Sequence, residues 1–114
     1  VYGIKVWENF AKYVATVDSE LDARYGRAYM EHHGLMLKRI QVLTKLGYVN
    51  NKIIEEGYRI IYSNTVCVHN LFTKFNLSHK PELLVKINNI INSLICEEKR
   101  LIALLVNNLI ENIN

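Results

Sequence analysis

A chain of 114 residues, half of them hydrophobic and 22% charged, suits one folded domain spanning residues 1–114 and excludes a disordered polymer or a disulfide-rich miniature. Its net charge of +3 contains no run of three Lys or Arg, which is too thin for a dedicated polybasic segment. No uncharged apolar stretch reaches the length of about 18 residues that a membrane-spanning helix needs.

One proline and five glycines leave little punctuation for strands, and apolar residues recur at three- and four-residue steps along the whole chain. The first helical region runs from about Ile4 to Leu46. Its stripe reads Trp7, Phe10, Val14, Val17, Leu21, Tyr25, Ala28, His32, Leu35, Met36, Leu43 and Leu46. Thr16, Asp18 and Ser19 are good N-cap residues, and Ser19 with Asp22 resembles a capping box. The stripe keeps phase across these residues. Base rates of helix length nevertheless favour a break there, giving a short N-terminal helix.

Gly47 suits a helix C-terminus, and Asn50 or Asn51 can cap the next helix, from about Lys52 to Phe75. Asn76 closes that helix, and Pro81 opens a last one that runs to about Asn112. Short connections between long helices make antiparallel neighbours. The expected fold is an all-α, up-and-down antiparallel bundle of three long helices and a fourth short one at the N-terminus.

Polar residues fall inside the apolar stripes. At 100° per residue His32 lies mid-stripe, while Glu31 and His33 point away on either side. Metal ligands on one helix need spacings of three or four, and no Cys, His, Asp or Glu stands at those spacings from either histidine. His32 therefore reads as a core histidine, and neither metal nor cofactor is expected. Arg39 shares its stripe, Asn64 centres the second apolar face, and Glu98 centres the last. Buried polar groups are costly unless paired. Counting outward from the turns predicts two polar layers, His32 with Asn64 (joined by Asn88 or Asn92) and Arg39 with Glu98. Such layers set helix register or oligomer state.

The stretch from Leu46 to Asn70, LGYVNNKIIEEGYRIIYSNTVCVHN, resembles the segment before and through the motif of HEPN domains. These are small helical domains, many of them ribonucleases in defence or toxin–antitoxin systems. The resemblance implies a motif pair at Asn64 and His69, with asparagine standing where the family carries arginine.

The last helix gives the strongest functional cue. Leu83, Ile90, Leu94, Leu101, Leu105 and Leu109 belong to an apolar face covering half its circumference or more, wider than one neighbour needs. These six are the expected oligomer interface. Cys67 and Cys96 sit in apolar helical segments outside any zinc pattern, and read as reduced and buried, which places the chain in the cytoplasm. Thirteen Asn and thirteen Ile, with nine Lys to five Arg, suggest an AT-rich microbial, phage or viral genome. The reading is a non-enzymatic helical interaction or assembly protein, forming a homo-oligomer or binding a helical partner. Nucleic-acid binding through scattered lysines is the alternative, and a HEPN-like ribonuclease the second alternative.

Overall fold

The computed structural model describes residues 2–17 and 19–113, with side chains described for 4–17 and 19–112. Four helices follow in order: α1 (Tyr2–Thr16), α2 (Ala23–Lys45), α3 (Lys52–Ser78) and α4 (Pro81–Ile113). They form an all-α, four-helix up-and-down bundle with no strand among the described residues. At about 1.5 Å per residue α4 spans about 50 Å, which accounts for the 52 Å long axis. The same rise makes α1 about 22 Å long, less than half of that.

The break between α1 and α2 forms because side chains from two helices hold the connection open. The Tyr13 hydroxyl accepts the Asp22 amide at 2.9 Å. Asn76, on α3, grips Leu21 from both sides: its Oδ1 accepts the Leu21 amide at 2.9 Å and its Nδ2 donates to the Leu21 carbonyl at 2.8 Å. Asp22 is the N-cap of α2, its carboxylate accepting the Arg24 amide at 3.0 Å. Ser19, expected to share a capping box, is exposed and makes no such bond. Asp18, another candidate cap, and the Ile113 side chain lie outside the described residues.

The α2–α3 connection turns on Gly47, whose φ of 86° lies in the left-handed region that glycine enters without strain. Asn51 caps α3 by accepting the Ile53 amide at 3.0 Å. Asn108 of α4 seals this loop, accepting the Asn50 amide at 2.8 Å and donating to Asn50 Oδ1 at 2.7 Å. Asn76 does not end α3 as expected, since its amide is committed to Leu21. The helix runs on to Ser78, and His79 takes the left-handed conformation, φ 54°.

The core runs through all four helices, from Ile4, Phe10 and Val14 through Tyr29 and Ile40, Ile54, Tyr58, Ile61 and Phe72, to Ile87, Ile91 and Leu101. Gly57 sets the closest approach. A Cβ there would stand 2.5 Å from Leu101 Cδ1, so the absent side chain lets α3 and α4 meet.

Candidate functional site

The core contains one polar layer, and it is not the pair of layers expected. The buried face of α2 carries Gly26, Tyr29, His33, Leu37 and Ile40. His33, only 1% exposed, takes the place assigned to His32. The expected stripe was carried in phase from α1 into α2. Because the chain leaves the helix between Thr16 and Ala23, α2 restarts from its own cap with its buried face one residue further on.

Three helices meet in this layer. His33 Nε2 lies 3.0 Å from Glu98 Oε1, and its Nδ1 lies 2.8 Å from the Tyr29 carbonyl oxygen. The Tyr58 hydroxyl donates to Glu98 Oε2 at 3.2 Å. A carbonyl only accepts, so Nδ1 carries a proton. One further proton lies on the line between Nε2 and the carboxylate. The layer therefore satisfies its polar atoms with no net charge, which is the condition for placing a glutamate only 4% exposed among aliphatic residues. Burial first, and then the neighbouring Glu98 carboxylate, pushes the Tyr29 and Tyr58 hydroxyls far above the ordinary phenol range. Trp7 of α1 covers the layer, its ring centroid 4.9 Å from that of Tyr29 and 5.1 Å from both His32 and His33.

The remaining sequence candidates lie apart from this layer. His32 is exposed at its rim. Its pKa is lowered, first by burial of the ring and then by His33 and Arg39, with Glu98 pulling the other way. Arg39 is exposed and makes no pair with Glu98. Asn64 is half-buried and donates to the Ile60 carbonyl of its own helix at 3.0 Å, so the His32–Asn64 layer does not form. Asn88 donates to the Ala11 carbonyl at 2.8 Å and holds α1 to α4, while Asn92 turns back onto the Asn88 carbonyl at 3.0 Å.

Asn64 and His69 stand five residues apart on one helix and point about 140° from each other. His69 Nδ1 is buried without a hydrogen-bond partner. Cys67 is half-buried and Cys96 exposed, correcting the expectation that both are buried. Among the described residues no group of three or more His, Cys, Asp or Glu is placed to hold a metal ion.

The six expected interface residues divide. Leu94 and Leu101 are core, while Leu83, Ile90, Leu105 and Leu109 are half-buried and packed against it. The face of α4 is wide because the helix packs on both α3 and α1.

An exposed apolar surface lies at the end of the bundle beside the start of α1. α1 runs antiparallel to α2 and α4: Trp7 is level with His32 and His33, Glu8 pairs with Lys99 at 3.6 Å, and Ala11 is level with Asn88. Counting from these contacts, α1 begins alongside about residue 38 of α2 and between about residues 97 and 105 of α4. Past that level the described residues belong to α2, α3 and α4. Leu43, Leu105 and Leu109 form a half-buried apolar floor, flanked by exposed Val42, Leu46 (64%), Val106 and Ile110 (58%). Lys38, Arg39, Val42 and Leu43 line a shallow apolar depression on its α2 side. Among the described residues no carboxylate lies within 4 Å of the Lys38, Arg39 or Lys45 charges, whereas Arg24, Arg27, Arg59, Lys99 and Arg100 are all paired.

Phase error hid His33 from sequence reasoning, although the spacing Tyr29, His33, Leu37 and Ile40 was available as its signal. The apolar face draws on α2 and α4 together, a juxtaposition that no motif encodes. Comparison of the chain with protein-family models, with curated proteins and with solved structures finds no match.

Proposed function

We propose that this is a non-enzymatic helical interaction or assembly protein that self-associates through the three-helix end of its bundle. The observation that carries the reading is the apolar face that α2 and α4 present at the end of the bundle beside the start of α1. Val42, Leu46, Val106 and Ile110 stand exposed beside a floor of Leu43, Leu105 and Leu109. An apolar surface bounded by charged residues is characteristic of a protein contact. Its place differs from the interface expected on α4 alone, since only Leu105 and Leu109 of the six expected residues contribute to it. The polar layer supports the same reading in a different way. His33, Glu98 and Tyr58 have their hydrogen-bonding atoms engaged with one another or with Tyr29, leaving no free group for substrate chemistry. The Asn- and Ile-rich composition fits an accessory or structural protein of a microbe, phage or virus with an AT-rich genome, working in the cytoplasm.

The test is the mass in solution by size-exclusion chromatography with light scattering, at low and high salt. The expected result is a salt-resistant dimer or larger assembly, reduced to monomer by Val106→Asp with Ile110→Asp. A monomer at all concentrations overturns self-association.

Nucleic-acid binding is the second reading. It is favoured by the unpaired Lys38, Arg39 and Lys45 on one flank of the same end. Affinity for nucleic acid that falls steeply with added salt is its signature.

A further inference from the structure

The charge of the chain is unevenly placed. α2 holds five of the 14 Lys and Arg but one of the 11 Asp and Glu, so the net charge of +3 resides on this helix and the rest of the chain is close to neutral. α2 is also sparsely covered. At backbone distance it approaches only α3, whereas α3 and α4 each pack between two neighbours. Five of its 23 residues are buried, against eight of 27 in α3, so a larger part of its circumference faces outward.

The outward side carries two kinds of residue. At 100° per residue Leu35, Lys38 and Val42 lie opposite the face that buries Tyr29, His33 and Ile40. Leu35, Val42 and Leu46 are exposed, and their spacing of seven and then four residues is one that a second helix can follow. Lys38, Arg39 and Lys45 stand between them, with no carboxylate within 4 Å among the described residues. Two shallow grooves border this line. Gly34 and Tyr62 line the one toward α3, Arg39 and Leu43 line the other, and Lys38 borders both. A ridge between grooves suits the interlocking side chains of a packed helix. A nucleic-acid backbone makes no use of the aliphatic residues, and a bilayer makes no use of the grooves.

We propose that the outer side of α2, from Leu35 to Leu46, docks an acidic amphipathic helix of a partner protein. The apolar residues of that helix cover Leu35, Val42 and Leu46, and its carboxylates reach Lys38, Arg39 and Lys45. A second copy of this chain is a poor occupant of the strip. Two α2 helices face to face set these cations against one another, and Glu31, the single carboxylate of α2, is already held by Arg27 at 2.8 Å. The inference rests on the reading of an interaction protein but not on self-association, since the strip is filled by a different chain. Charge complementarity steers the encounter and the aliphatic contacts hold it, so binding weakens with added salt without vanishing.

The probe is a designed three-heptad helical peptide with Leu at its apolar positions and Glu beside them, labelled for fluorescence anisotropy and titrated with the full chain at physiological salt. Light scattering on the same samples records the mass of the chain. The expected result is micromolar binding that is lost when the Leu residues of the peptide are replaced by Ser, with amide shifts concentrated in α2. Lys38→Glu with Lys45→Glu weakens binding about ten-fold or more, and Leu35→Ser with Val42→Ser does the same. All four residues are exposed, and unchanged helicity by circular dichroism shows that the fold is kept. No binding at millimolar protein, or equal binding of the Ser-substituted peptide, overturns the proposal. So does tighter binding of an RNA oligonucleotide or of phosphatidylserine vesicles than of the peptide, which assigns the cations to that surface instead. A dimer that ignores the peptide overturns the docking and leaves self-association standing, whereas a monomer that binds it supports the docking alone.

Discussion

Alongside α1, four helices close around rings and a polar layer; at the end of the bundle beside its start, leucines of α2 and α4 are half-covered. The closed half contains Trp7, Phe10, Tyr29 and Phe72, and the His33–Glu98–Tyr58 cluster, in mutual contact. The open half is chiefly aliphatic, with Asn108 buried against the α2–α3 loop and Val42, Leu46, Val106 and Ile110 exposed. The difference teaches that the chemically richest residues of this chain serve packing, whereas the surface available to a partner is chemically plain.

Removing one partner of the polar layer is the most severe way to break the closed half. Glu98→Leu leaves His33 and Tyr58 buried without an acceptor, and loss of one member of a buried charged pair costs about 3–5 kcal/mol. The double variant His33→Leu with Glu98→Leu removes both partners of the pair, leaves only the Tyr58 hydroxyl without its acceptor, and is expected to recover much of that loss. Urea unfolding midpoints of the two single variants and the double variant check this. A double variant as unstable as the sum of the singles would contradict a paired layer.

Paired truncations on α4 sharpen the contrast between the halves. Leu101→Ala removes a side chain with no exposure, and such changes cost about 2–5 kcal/mol. Leu109→Ala, on the open floor, is expected to cost the monomer less than half as much, because water already reaches the site. In an assembled protein the order of effects on association reverses, with Leu109→Ala weakening it and Leu101→Ala not. Chemical denaturation together with light scattering reads both quantities.

The two asparagine clamps compare the ends of the bundle. Asn76→Ala frees the amide and carbonyl of Leu21, and Asn108→Ala frees the Asn50 amide; each unsatisfied part-buried group costs about 1–3 kcal/mol. Asn76→Ala is expected to raise hydrogen exchange in α1 and the first turn of α2, and Asn108→Ala in the first turn of α3. Uniform change across all helices would mean that the clamps do not act locally.

These clamps also show where sequence reasoning stops. The four-helix order was legible because its punctuation is local: Gly47 and Pro81 act through their own backbone, and Asn51 through a side-chain cap two residues on. Asn76 was misread as a stop because its partner, Leu21, lies 55 residues away and no local rule describes that bond. Glu98 was visible as a polar intruder, yet its partner was misassigned to Arg39, since the phase of α2 depends on a non-helical connection whose length sequence periodicity cannot measure. The asparagine abundance, read as genome composition, also supplies loop clamps at Asn76 and Asn108. The apolar face was illegible for a geometric reason: it joins residues of α2 and α4 that only the packing of the helices brings to one end, and no single residue marks it.

His32 offers the mildest test, because it lies on the rim between the two halves. Its folded-state pKa is lowered from the ordinary value of 6.5, chiefly by burial and then by His33. The unfolded chain therefore binds its proton at higher pH than the folded chain does. Where the unfolded state binds more protons, stability rises with pH. The His32 contribution is then complete above about pH 6.5 and is lost as pH falls below that value towards the lowered folded-state pKa. His32→Gln should leave stability at pH 8 almost unchanged and flatten the decline between pH 7 and pH 5, as read by thermal or urea unfolding at each pH. The remaining slope in that variant measures every other titrating group together. If the wild type and His32→Gln decline in parallel, the ring is no more hindered in the fold than in the open chain, and the closed half ends before His32 rather than at it.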